Sequence, residues 1–258
     1  MIIRINAKKM IEALEDSSLK GKYYNGAEAK NGKLSDFAFV ETETAEQIVV
    51  YNADHTTVCK ISVEVEDIDY RESRLRMTKH STVVFDIDKT IKYLKPFGDT
   101  TVEMQINDYI TIVNDVSTAK LPMVLTHPAM AMIDRFKQFT LPKEGMPTFG
   151  KTTFESKTTI LSEELSLAVN ACDAVNNAKY KFDAAEDGFV ISSKRNDLDM
   201  IETTVDSIEQ IGECATVEFT GQFHKFMKAT VTIYMKDDAP VLFVSRNRML
   251  LKAPYLER

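Results

Sequence analysis

The side chains able to do acid–base, nucleophilic or metal chemistry are scattered along the chain. His55, His80, His127 and His224 share no HExxH or comparable ligand spacing, and neither a Gly-rich phosphate loop nor a nucleophile elbow occurs. Cys59, Cys172 and Cys214 are odd in number and far apart, which fits reduced thiols inside the core rather than a disulfide framework or a zinc site. Two carboxylate pairs, Asp86/Asp88 and Asp237/Asp238, have the oxygen ligands a divalent cation needs. The first pair falls where a helix begins, a position at which Asp caps free N–H groups. The second falls in a turn before a strand. Capping and turn roles account for both, leaving a metal-dependent hydrolase as the distant alternative. No catalytic residue, metal ligand or cofactor is expected.

What recurs is lysine. Lys8 and Lys9 sit together, Lys89, Lys92 and Lys95 follow one another every third residue, and Lys225 and Lys228 flank a stretch that also holds His224. Two readings stand for such residues: ordinary solvated helix faces, or a segregated positive face that attracts phosphates. The formal net charge of −7 excludes a protein that coats nucleic acid over its whole surface, so any DNA contact must come from one basic face.

Four amphipathic segments carry these lysines or their counterparts. Asn6 is a plausible N-cap, after which Ala7, Met10, Ile11 and Leu14 form an apolar stripe at helical spacing. The second segment is capped by Asp86 or Asp88, aligns Ile87, Ile91 and Leu94, and stops at Pro96. The third starts near Ser162 with Leu165, Ala168, Val169 and Cys172, and the fourth follows Thr220 with Phe223, Phe226 and Met227. The third shows Glu163, Glu164 and Asp173 where the others show lysines; Lys179 and Lys181 lie beyond its end. Runs such as QIVVYNA, TVCKISVEV, TVEMQI, YITIV, KYKFDA, GFVISS, ATVEF, TVTIYM and PVLFV read as strands.

Each half thus holds two short helices against many strands, an α+β pattern. Helix starts one and three are about 155 residues apart and starts two and four about 134, so the first half carries roughly 20 extra residues. The polar stretch at about 19–36, LKGKYYNGAEAKNGKLSD, is the candidate surface insertion. Residues 121–150 contain four of the seven prolines and separate the halves, giving 1–120 and 151–258 as two copies of one fold joined by a connecting region. The opening MIIRINAKKM lacks the apolar core of a signal peptide, and no apolar run approaches the roughly 20 residues of a membrane span.

In order along the chain, several stretches resemble the proliferating cell nuclear antigen family of sliding clamps, the archaeal and eukaryotic type. YNADHTTVCKISVEV resembles the family segment in which an Asp precedes an apolar strand residue by four, here Asp54 and Val58. FDIDKTIKYLKPFGDTTVEMQIN resembles the second inner helix with its following strand, and AAEDGFVISS the Asp-Gly strand of the second domain. DDAPVLFV and LLKAPYLER resemble the acidic-acidic-x-Pro strand and the closing Leu-Ala-Pro signature. The departures are Lys252, where the family usually has an apolar residue, a strand almost directly after the fourth helix, and a connecting region rich in Met and Phe.

The resemblance implies a DNA clamp fold of two topologically similar domains, each with two short helices on antiparallel sheets. It implies a non-enzymatic processivity factor, intracellular and DNA-associated, whose three copies close head to tail around duplex DNA. Partners would be double-stranded DNA held without sequence preference, a DNA polymerase, a clamp loader and other replication and repair proteins, with no membrane. The DNA-facing residues would be Lys8, Lys9, Lys89, Lys92, Lys95, His224, Lys225 and Lys228. Partner proteins would dock short motifs with apolar and aromatic anchors against Val58, Pro240, Leu251, Ala253 and Pro254. From the connecting region Met130, Met132, Ile133 and Phe136 would contribute. Core packing of Val58 and Leu251, and an edge-strand role for Pro240, are equally open. Subunits would join through Tyr109, Ile110, Thr111, Ile112 and Val113 of one copy and Phe189, Val190, Ile191 and Ser192 of the next, unless both strands lie inside sheets. A clamp-like subunit working as a hetero-oligomer, or as a monomer or dimer on a polymerase, is the alternative.

Overall fold

Strand alternation decides which side of each sheet is buried. In β13 (Lys179–Ala185), Tyr180, Phe182 and Ala184 point inward, while Lys179, Lys181 and Asp183 alternate with them on the wetter side. The computed structural model describes residues 1–19, 36–70, 82–124, 127–139, 141–176, 179–196, 198–221, 223 and 227–255. The described chain forms two compact units: 1–53 with 59–131, and 54–58 with 132–255.

The first unit runs β1 (Ile2–Asn6), α1 (Ala7–Ser17), β2 (Phe37–Thr44), β3 (Gln47–Ala53), β4 (Thr57–Glu64), β5 (Asp67–Asp69), β6 (Val83–Asp86), α2 (Ile87–Leu94), β7 (Thr101–Ile106), β8 (Tyr109–Val113) and β9 (Thr118–Pro122); Thr57 and Val58 of β4 belong to the second unit. The second runs β12 (Ser156–Leu161), α4 (Ser162–Val175), β13, β14 (Gly188–Asn196), β15 (Asp199–Val205), β16 (Glu209–Gly212), β17 (Ala215–Thr220), β18 (Thr230–Met235), β19 (Val241–Ser245) and β20 (Arg248–Lys252). Strand order is β5-β1-β7-β8-β9 with β4-β3-β2-β6 in the first unit, and β16-β12-β18-β19-β20 with β15-β14-β13-β17 in the second. The two pairs of sheets are the same architecture, strand for strand. A helix follows the first strand in both, and α2 precedes β7 as residues 221–229 precede β18. That is the duplication read from helix spacing, now in the sheet order.

The local reasons are ordinary. Asn6 caps α1 by accepting from Lys9 N at 3.2 Å, and Asp86, not Asp88, caps α2 by accepting from Lys89 N at 3.0 Å. Beyond Leu94 the chain tightens into a 3-10 turn at Lys95–Phe97 that contains Pro96. α4 buries Leu165, Ala168, Val169 and Cys172, all four residues of the sequence-derived stripe. The second unit's core is aromatic: Phe182 meets Phe219 edge-on at 4.9 Å and Phe189 at 5.5 Å, and Phe223 lies 4.6 Å from Phe243.

Three expectations need correction or restriction. Cys59 and Cys172 are buried, but Cys214 is exposed, in the turn between β16 and β17 where no sheet covers it. The connecting region holds a helix that the sequence reading did not place: α3 (Met130–Lys137) buries Ile133 and Phe136, and Phe136 packs with Phe139 at 6.0 Å and Phe149 at 6.3 Å. Short strands β10 (Thr148–Phe149) and β11 (Thr152–Thr153) pair beside it. The insertion at 19–36 lies outside the described residues except for its two ends, and the fourth helix falls largely outside them, since His224, Lys225 and Phe226 are not described.

Candidate functional site

In the first unit α1 and α2 pack on each other. Their apolar stripes turn inward, which leaves Lys8 and Lys9 on α1 and Lys89 and Lys92 on α2 exposed, with Lys95 exposed directly after α2. Glu12, Glu15 and Asp88 share the exposed surface, and Asp16 and Asp86 are half-buried beside them, so the five lysines stand among five carboxylates. Between the helices lies an open cavity of about 390 Å³ lined by Glu15, Ser18, Ile87, Asp88, Ile91, Lys92 and Lys95.

Several lysines elsewhere are held in ion pairs. Lys60 pairs with Glu43 at 3.2 Å, Lys157 with Glu209 at 2.5 Å and Lys179 with Glu218 at 3.5 Å, while Lys236 pairs with Glu155. Among the described residues no ion pair engages Lys8, Lys9, Lys89, Lys92 or Lys95, nor Lys228, which is also exposed. Their charge is available to an outside anion. α4 differs, because its outer face shows Glu163, Glu164, Leu167 and Asn170, and Lys179 and Lys181 beyond it already face Glu218 and Asp183. His224 and Lys225 lie outside the described residues.

The subunit-interface strands are corrected by topology. β8 is hydrogen-bonded to β7 on one side and β9 on the other, and β14 lies between β13 and β15. Neither has a free edge, so Tyr109, Ile110, Thr111, Ile112 and Val113, and Phe189, Val190, Ile191 and Ser192, cannot offer a ladder of main-chain groups to another copy. Their apolar content reflects that interior place: Ile110, Ile112, Phe189 and Ile191 are all at most 1% exposed. The open edges next to them are β9 and β15. β9 carries Lys120 and Pro122, and the β14–β15 hairpin leaves Leu198 97% and Met200 54% exposed.

Of the candidate peptide-pocket residues, Val58, Leu251, Ile133 and Phe136 are buried, whereas Met130, Pro240, Ala253 and Pro254 are half-buried and Met132 is 36% exposed. The buried four can form only a floor. Pro254 lines an open cavity of about 460 Å³ together with Thr216, Val217, Glu218, Asp237, Asp238 and Tyr255. Its rim is acidic. Asp237 also accepts from Thr216 N at 2.7 Å, and Tyr255 N donates to Glu218 O at 2.6 Å, so the C-terminal segment is laid along β17. Among the described residues no group of three His, Cys, Asp or Glu side chains is placed to hold a metal ion.

Two side chains gained significance only in the folded chain. His127 lies against Phe37 and Phe39, 4.8 and 5.4 Å between ring centres, and its Nδ1 accepts from Ala129 N at 3.2 Å; burial pushes its pKa down. Lys252 is 2% exposed, the one buried charged side chain among the described residues. Its Nζ donates to Thr57 Oγ1 at 3.0 Å. Burial pushes its pKa from 10.5 down to about 8, opposed by the nearby Asp54 carboxylate.

Stability should depend on pH accordingly. Below about pH 8 the lysine is protonated in both folded and unfolded chains and the cost of burying the charge is fully present; between about 8 and 10.5 the folded amine is neutral and that cost is relieved. Lys252→Met is therefore expected to stabilise the protein by about 2 kcal/mol at neutral pH, from about 3 for the shift less about 1 for the lost hydrogen bond. The gain should shrink toward pH 10.5. Urea melts across that range check it, and equal midpoints at neutral pH would contradict the buried-charge account.

No protein-family model matches the sequence, and no curated protein does. Solved structures do. The chain resembles the PCNA of A. fulgidus, solved with the C-terminal region of FEN-1 bound, at 17% identity and a TM-score of 0.65, covering 100% of this chain and 99% of that one. PCNA from Thermococcus kodakaraensis is similar at 16% identity and a TM-score of 0.64, covering 98% and 99%. The DNA polymerase sliding clamp of Bacillus subtilis is similar at 11% identity and a TM-score of 0.72, covering 100% of this chain and 65% of that one. The chain has the sliding-clamp fold: α+β, with antiparallel sheets and few short helices, made twice.

Proposed function

We propose that the protein is a sliding clamp of the PCNA type, a non-enzymatic ring subunit that encircles duplex DNA inside the cell and tethers a polymerase and other replication and repair proteins. The observation that carries this reading is the set of exposed lysines on α1 and α2, engaged by no ion pair among the described residues and displayed on a duplicated clamp fold. Such lysines attract phosphates without reading bases, as a sliding contact requires, because a base-specific hydrogen bond would arrest movement. The acidic outer face of α4 favours the first unit as the source of most of the DNA contact.

Three copies close the ring head to tail, as the resemblance to PCNA implies, and the duplication supplies the joint. Within the second unit the C-terminal segment is held to the start of β4, with Ala253 N donating to Thr56 O at 2.7 Å. In the repeated strand order β20 corresponds to β9 and β4 corresponds to β15. The matching joint between copies is β9 of one subunit against β15 of the next. Partner motifs with apolar and aromatic anchors dock beside Ala253–Pro254 and α3, over the floor of Val58 and Leu251.

A closed ring is tested by topology. Protein threaded onto linear duplex should be retained at high salt when both ends are subsequently blocked, and lost when the ends are free, because encirclement resists screening of its electrostatic contacts. Equal loss from both templates would exclude encirclement.

A further inference from the structure

Lys252 occupies a place that an apolar side chain would fill without cost, so its charge calls for a reason. Its surroundings are specific. The ammonium donates to Thr57 Oγ1 at 3.0 Å, Thr57 Oγ1 is 3.2 Å from Thr56 Oγ1, and Thr56 Oγ1 donates to Asp54 Oδ1 at 3.1 Å. The same Asp54 oxygen accepts from the N–H groups of Thr56 and Thr57, both at 2.7 Å, and Asp54 N donates to Thr57 O at 2.9 Å. This chain of polar groups runs from the last strand into a closed turn. The next residue doubles the link, through the Ala253 N to Thr56 O bond.

Space around the amine is tight. A Cβ added at Gly221, which already holds φ +89°, would come within 3.0 Å of Nζ. The cross-strand neighbour of Lys252 on β19 is Val241, which is uncharged, and the turn contributes Asp54 and an exposed His55. Asp54 is the carboxylate that acts on the amine.

Resting on the pocket proposed above, we infer that Lys252 is a positioning residue for partner-peptide binding. Its charged end draws the Asp54–Thr57 turn against the C-terminal strand and so sets the spacing between Val58 and the Ala253–Pro254 segment. A methionine would fill the same volume but remove the side-chain tie to Thr57, leaving main-chain bonds such as Ala253 N to Thr56 O. The site is therefore tight when the amine carries its proton and loosens as the amine is neutralised. Affinity for a partner peptide falls as pH rises through about 8, where burial has moved the amine's titration.

The test uses the full chain and a short fluorescein-labelled synthetic peptide bearing one aliphatic and two adjacent aromatic anchors, with affinity read by fluorescence anisotropy between about pH 6.5 and 9.5. Wild type should lose affinity across that interval, while Lys252→Met should bind about tenfold more weakly at the acid end and with a flat profile. Thr57→Val should reproduce the loss and Thr57→Ser should restore binding, because serine keeps the hydroxyl. Thermal melts of each variant confirm folding, and Lys252→Met is expected to be the more stable protein. Equal affinities and parallel pH profiles for wild type and Lys252→Met, with clear binding by both, would overturn the role of Lys252 and leave the pocket standing. No binding by wild type at any pH would overturn both.

Discussion

Reversing two charges on α2, Lys89→Glu with Lys92→Glu, is expected to lower the processivity of a clamp-dependent polymerase at least about tenfold at physiological salt while leaving the native mass unchanged. Both side chains are exposed and no ion pair among the described residues engages them, so their replacement removes no fold-stabilising partner and should cost within about 0.5 kcal/mol of stability. The electrostatic change is large by comparison. Each chain goes from two positive to two negative charges on the surface proposed to face the phosphates, where a Debye length of about 8 Å leaves close charges poorly screened. The slope of log affinity against log salt should also fall by about 0.9 for every phosphate that the variant no longer neutralises. Salt titrations of DNA binding would read that slope. A control reversal at Lys157, which pairs with Glu209 across β12 and β16, should leave DNA binding unaffected. Processivity that matches wild type across salt concentrations would remove the helices of the first unit as the DNA-facing surface.

The second large effect concerns assembly. Leu198→Lys with Met200→Lys is expected to convert a species of three copies, 3 × 29.2 kDa or about 88 kDa, into one of 29.2 kDa. Leu198 is 97% and Met200 54% exposed at the β14–β15 hairpin, so neither substitution opens a cavity in the monomer. Apolar side chains at an open sheet edge are what a partner strand covers, and lysines at such an edge are the device by which monomeric proteins prevent pairing. Native mass spectrometry and light scattering decide the matter. A wild-type protein of 29.2 kDa would remove the homotrimer and favour the alternative of a hetero-oligomeric or accessory subunit. A trimer that survives both substitutions would move the joint away from β15.

How much of this was legible beforehand varies residue by residue. The stripe of α4 was legible because an inward face must be apolar at helical spacing whatever it packs against, and α4 buries the four residues that spacing selects, while Ile11 of α1 and Ile91 of α2 are only half-buried. The caps were legible for a similar reason, since Asn6 and Asp86 act on N–H groups three residues away. Edge and interior strands were not distinguished. YITIV reads as a good strand wherever it lies in a sheet, and only the pairing of β8 with both β7 and β9 removes it from the surface. α3 was missed because prolines at 122, 128, 142 and 147 frame it and made the whole stretch read as a linker.

The amino-acid sequence alone determined the properties that depend on near neighbours along the chain: amphipathic periods, caps, turn chemistry, the spacing that betrays a duplicated architecture, and the clustering of lysine on helix faces. Tertiary structure decided whatever depends on contacts between distant residues. It set the order of the strands, and hence which edges stay open. It also placed Lys252 against Thr57, 195 residues away in the chain, where loss of water changes the chemistry of an amine that the sequence showed only as a departure from an apolar pattern.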